Sequence, residues 1–121
     1  MNEFFFIAGA VGGGLGVALG AFGAHGLRRH FPPGRLDTFE TAVRYQMYHS
    51  LALLITSLIT TPAAMPWITA AGWLFLGGML LFSGSLYLLV FTGERRWGAV
   101  TPLGGLALIA GWACLVLSQF V

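Results

Sequence analysis

The chain has 121 residues, of which 57% are hydrophobic, 14% aromatic and only 8% charged, with a mean hydropathy of +0.82. A soluble domain carries about a quarter charged residues, so this composition excludes a water-soluble globule, and its apolar and aromatic content excludes a disordered chain. The net charge of +2 rests on a few arginines and forms no extended basic stripe, which excludes a nucleic-acid-binding surface.

An integral membrane protein of a single domain, residues 1–121, remains. At roughly 20 apolar residues per crossing, this length holds about four spans joined by short loops. The first apolar stretch covers about 4–27 and ends at Arg28-Arg29-His30, before the breaker Pro32-Pro33-Gly34. A cleaved signal peptide fits it poorly, because Met1-Asn2-Glu3 carries an acid and no base and the apolar run is too long; a retained span is expected. Its glycines recur as Gly12-xxx-Gly16-xxx-Gly20-xxx-Ala24, joined on one face by Gly9, Gly13 and Gly23, with Phe4, Val11, Leu15, Leu19 and Phe22 opposite. Such a small-residue series lets a neighbouring backbone approach closely.

The second stretch covers about 37–60, with Asp37 and Thr38 as N-cap types at its start. It is the polar one. On a helical wheel Asp37, Thr38, Thr41, Arg44, Tyr45, Tyr48, His49, Ala52, Thr56 and Thr60 share a face, with Phe39, Val43, Met47, Leu54 and Leu58 on the other. The polar face is expected to look into the bundle, against the glycine face of the first span, with His49 near Gly16 and near the bilayer midplane. Arg44 lies one turn after Glu40 and within snorkelling reach of the interface, which suits a structural anchor. His49 is deeper. Imidazole there serves as a satisfied core group, a proton relay, an axial haem ligand or a contact for a lipid or quinone headgroup.

The turn at 61–66 leads to the third span, about 67–91, which carries Ala71, Gly78 and Ser85 at heptad spacing. Thr92-Gly93-Glu94-Arg95-Arg96 closes it. The fourth covers about 99–120, begins near Thr101-Pro102, and puts Gly104, Ala107, Gly111, Cys114 and Ser118 on one face. These faces are expected to pack helices within one chain, with a homo-oligomeric contact as the second use. Trp67 and Trp97 sit near span ends, where indoles favour the headgroup region.

Arg28, Arg29 and Arg35 fall in the first loop, and Arg95 and Arg96 in the third; the opposite side has no arginine or lysine. The positive-inside rule then predicts cytoplasmic arginine loops with both termini outside, an all-α, up-down-up-down four-helix membrane bundle. The single cysteine, Cys114, permits neither an internal disulfide nor a thiolate cluster. No His, Asp, Glu or Cys group has metal-ligand spacing, and no nucleophile–base pair or phosphate loop is legible, so neither a catalytic nor a metal site is expected. His25 falls away from the glycine stripe and at a different depth from His49, so paired haem ligation by the two needs a distorted helix end. His30 lies in the loop.

The strings Gly20-Ala21-Phe22-Gly23-Ala24-His25-Gly26-Leu27 and Tyr45-Gln46-Met47-Tyr48-His49-Ser50, the latter preceded by Phe39-x-Thr41-Ala42-Val43, resemble the signature of the domain-of-unknown-function 423 family. Phe82-Ser83-Gly84-Ser85-Leu86-Tyr87 and Thr101-Pro102-Leu103-Gly104-Gly105 resemble its third and fourth segments. The family is one of small, YgdD-like bacterial inner-membrane proteins. The resemblance implies a four-helix integral membrane protein without a defined activity, and directs attention to His25, Thr41, Tyr45, Gln46, Tyr48, His49, Ser83 and Ser85.

Three functional expectations follow. The first is a non-enzymatic structural or accessory protein of the inner membrane, acting as a homo-oligomer or within a larger assembly and surrounded by lipid. The second is a channel or carrier for protons or a small solute, lined by Tyr45, Tyr48, His49 and Thr56. The third is a haem- or quinone-binding membrane subunit using His25 or His49.

Overall fold

The computed structural model describes all 121 residues except the side chain of Ala24, so the end of the small-residue series at Ala24 lies outside the described residues. Helices α1 (Glu3–His25), α2 (Pro33–Leu58), α3 (Met65–Thr92) and α4 (Arg96–Leu117) follow one another, with single 3-10 turns at Leu27–Arg29, Pro62–Ala64 and Ser118–Phe120. Among the described residues there is no strand. The ends follow local chemistry. The Asn2 side chain accepts from the Phe5 N–H at the start of α1, and α2 opens on Pro33, which lacks the N–H that a first helical turn leaves unpaired. α3 ends at Gly93, in the left-handed conformation (φ 71°) that glycine adopts without a side-chain clash.

Two boundaries differ from expectation. Asp37 and Thr38 do not cap α2. They lie past its first turn, where Thr38 donates to the Gly34 carbonyl. α4 starts at Arg96, which puts Pro102 inside the helix, without the N–H that would bond the Gly98 carbonyl.

Three segments are long and apolar enough to cross a membrane: Glu3–Gly23, Pro62–Thr92 and Arg96–Phe120. α2 has the length without the apolarity. Arg35, Asp37, Glu40 and Arg44 crowd its first half, and Gln46, His49 and Ser50 follow.

Each helix packs along its chain neighbour, α1 on α2, α2 on α3 and α3 on α4. Glycines make this possible. A Cβ at Gly12 would strike Ser50 Oγ, one at Gly16 the Met47 sulfur and one at Gly23 the Phe39 ring, so α1 lies directly on α2. Gly20 is looser, its Cβ position 3.4 Å from Val43, and Gly13 faces open space despite its place on the wheel. Between α3 and α4, a Cβ at Gly78 would come within 2.8 Å of Leu108, one at Gly111 within 2.8 Å of Phe75, and one at Gly104 would meet the Phe82 backbone nitrogen. Ala71 and Ser85 are buried.

The facing of α2 is the main correction. Its buried residues are Phe39, Ala42, Gln46, His49, Ser50, Ala52, Leu53, Thr56 and Ser57, while Arg44, Tyr45 and Tyr48 are exposed. The inward face is thus turned by about a quarter turn from the polar stripe. Phe39, expected in lipid, is buried between Tyr87 and Phe91, and Met47 packs on Gly16. Two apolar clusters result. One gathers Phe5, Leu53, Phe75, Met79 and Leu108, and the other gathers Leu27, Phe39 and Val90. Polar side chains lie between them.

Candidate functional site

The polar belt is built by α2 and read out by its three neighbours. The Gln46 amide donates to the Gly12 carbonyl of α1 (2.8 Å) and accepts from the Tyr87 hydroxyl of α3 (2.6 Å), which fixes the orientation of the amide. Ser83 of α3 donates to the Ala42 carbonyl (2.7 Å), and Ser50 donates to the Met79 sulfur (3.6 Å). Ser85 of α3 and Thr101 of α4 meet at 2.6 Å. Each hydroxyl also reaches a carbonyl of its own helix, Ser85 that of Phe82 (2.9 Å) and Thr101 that of Trp97 (3.4 Å), so either one donates across the pair.

His49 closes the belt toward α4. Its Nε2 lies 3.1 Å from the Trp112 indole nitrogen and its Nδ1 lies 2.7 Å from the Tyr45 carbonyl. An indole N–H only donates and a carbonyl only accepts, so Nε2 is bare and Nδ1 carries the proton. The ring is 4% exposed and packs against Phe75 and Trp112. Outside it, Tyr45 packs tilted on Phe82 (centroids 4.6 Å apart) and Tyr48 stands edge-on to Tyr45. These residues line a lateral groove of about 510 Å³ between α2 and α4, floored by Phe82 and Leu108. A flat aromatic or lipidic group fits its shape and chemistry better than a hydrated ion, because its walls are rings and aliphatic side chains.

The other singled-out residues stand apart. His25 is exposed at the end of α1, and His49 is buried against α4 rather than against Gly16, so the structure does not bring the two histidines together. Thr41 bonds its own helix at the Asp37 carbonyl. Arg44 faces outward with Glu40 at 3.9 Å, both side chains 60% exposed. Thr56 is buried and donates to the Ala52 carbonyl of its own helix. Among the described residues no three His, Cys, Asp or Glu side chains gather to hold a metal ion.

Tyr87, Ser50 and Trp112 were missed as partners by sequence reasoning. A signal existed for two of them. An indole or phenol deep in an apolar helix must find a partner for its polar atom, which marks Trp112 and Tyr87. Ser50, by contrast, looks like any small packing residue.

Residues 19–105 match the family described as "Protein of unknown function (DUF423)". A UPF0382 membrane protein of Staphylococcus haemolyticus is 47% identical over 120 residues, covering 98% of this chain and 96% of the relative. The UPF0382 membrane protein YwdK of Bacillus subtilis is 44% identical over 117 residues, covering 96% of this chain and 95% of its own. A further UPF0382 membrane protein, from a bovine strain of Staphylococcus aureus, is 45% identical over 120 residues, covering 98% and 96%. No solved structure matches the chain.

Proposed function

The chain belongs to the DUF423 family, and from that premise we propose that it is a four-span protein of the bacterial inner membrane with a structural or accessory, non-enzymatic role, working as a homo-oligomer or within a larger membrane assembly. One observation carries this reading. The polar side chains of the belt are already occupied: Gln46, His49, Ser83 and Ser85 each bond a backbone carbonyl or side chain on a helix other than their own. A catalytic group keeps a reactive atom turned toward substrate, whereas these atoms are turned toward neighbouring helices.

The same bonds support α2 as the fourth span. A polar helix is tolerated in hydrocarbon when its neighbours satisfy it, and α1, α3 and α4 all do so. Two contacts support the up-and-down arrangement, and the positive-inside rule then favours both termini outside. Arg35, at the start of α2, lies against Gly93 beyond the end of α3, which puts the two arginine loops at one end. Asn2 donates its backbone N–H to the Ser57 carbonyl, which puts the N-terminus with the α2–α3 turn. For association, Gly77 and Gly84 of α3 have open space where a Cβ would stand, at heptad spacing on the outer side, so a second helix has room to approach.

Native mass spectrometry after extraction in mild detergent tests the proposal. A discrete oligomer or a stoichiometric partner is the expected result; a monodisperse monomer without partners overturns it. The α2–α4 groove favours a second reading, a bound quinone-like ring presented to Tyr45, Tyr48 and Trp112. Chloroform extraction of gently purified protein, with a haem absorption scan beside it, decides that one. A solute pathway along Tyr45, Tyr48 and His49 would run at the surface of one chain, so it needs a second copy to enclose it; absence of flux in reconstituted vesicles removes it.

A further inference from the structure

A second cleft opens between α1 and α2, away from the aromatic groove. Its volume is about 170 Å³, and its lining includes Gly20, Gly23, Arg28, Glu40, Val43 and Arg44. From this arrangement we infer that the cleft is a binding site for an anionic phospholipid, with the phosphodiester held by Arg28 and Arg44 and an acyl chain lying on the floor at Gly20.

Charge is the first argument. Two guanidinium groups from separate segments reach one small cleft, and the single carboxylate there, Glu40, leaves one positive charge uncompensated (two minus one). Glu40 is a weak competitor. It stands 3.9 Å from Arg44 with both side chains mostly exposed, and Arg28 makes no ion pair among the described residues. A phosphodiester offers two anionic oxygens that the planar guanidinium fork can engage together.

Depth is the second argument. At 1.5 Å rise per residue, Arg44 lies about 13 Å further along α2 than Arg35, which belongs to the loop end. An arginine at that depth extends toward the interface and draws an anion to it. Arg28, in the turn after α1, marks the mouth of the same cleft. The cleft therefore runs from interface toward hydrocarbon, the path of a lipid and not of a soluble anion. Shape is the third. The Phe39 ring closes the cleft at Gly23, while the partly exposed Gly20 leaves its outer side without a side chain, so an acyl chain has a bed along the outside of the α1–α2 seam there. Anionic headgroups held by basic pockets on the cytoplasmic side follow the same physics.

Native mass spectrometry of the detergent-purified protein tests the inference, with phosphatidylglycerol, phosphatidylcholine and inorganic phosphate as probes. Phosphatidylglycerol is expected to be retained in preference to phosphatidylcholine, and each of Arg28→Gln and Arg44→Gln is expected to lower its retention about fivefold. Gly20→Leu, which fills the floor and leaves both arginines, should also release the lipid. Glu40→Gln should strengthen retention, and the paired Arg95→Gln and Arg96→Gln change should leave it unaltered. Equal retention of the two lipids, undiminished retention by the arginine variants or by Gly20→Leu, or binding of inorganic phosphate in place of lipid each overturns the proposal.

Discussion

An imidazole between an indole N–H and a backbone carbonyl has a single tautomer available to it. For His49 that tautomer carries its proton on Nδ1, toward the Tyr45 carbonyl, and leaves Nε2 to accept from Trp112. Nitrogen NMR of labelled histidine in micelles should therefore show one buried ring with a protonated Nδ1 and a bare Nε2, and Trp112→Phe should shift the Nε2 resonance while leaving the proton on Nδ1. Gln46 poses a related question of worth, because one amide joins three helices. Interhelical hydrogen bonds in membranes average about 0.6 kcal/mol and reach about 1.7 kcal/mol, so Tyr87→Phe should cost within that range. Gln46→Leu, which removes two bonds, should cost about twice as much, and adding Tyr87→Phe to it should cost almost nothing more. Unfolding in mixed detergent–SDS micelles measures all three, and additive losses would show that the two residues act independently.

At the scale of the helix, glycines separate into those that touch and those that do not. Gly104 has no room for a methyl group because the Phe82 backbone stands there, whereas Gly77 has nothing near it. Gly104→Ala should therefore destabilise by about 1–3 kcal/mol, and Gly77→Ala should be neutral or gain up to about 1 kcal/mol from helix propensity. Thermal unfolding in one detergent compares them directly. The same contrast explains what was legible beforehand. The contact faces of α1, α3 and α4 were readable because a missing side chain marks close approach whatever the solvent. The facing of α2 was not, since hydrocarbon is as apolar as a core and Phe39 or Leu53 suits either. Tyrosine compounds the difficulty: Tyr45 and Tyr48 count as polar on a wheel yet lie outermost, 39% and 52% exposed, while Ser50 and Ser57 are fully buried. Of the candidate site, His49 and Gln46 were in view from the sequence. Their partners were not, because Trp112 lies 63 positions and Tyr87 41 positions away, and no local pattern registers such pairings.

Over the whole molecule, α2 depends on the others for its polar atoms, and the chain supplies those others at different times. The Gly12 carbonyl precedes α2 in synthesis, but Ser83, Tyr87 and Trp112 are all made after it. The helix least able to enter lipid alone is thus completed before most of the groups that satisfy it exist. Membrane insertion of this protein should accordingly be a delayed, joint event, with α2 held at the translocon until α3 emerges. Ribosome-stalled chains test this: a cysteine placed in α2 should stay accessible to a membrane-impermeant thiol reagent when the chain stops before Ser83 and become protected once Tyr87 has cleared the exit tunnel. On that outcome the polar belt that locks the finished fold would also time its assembly.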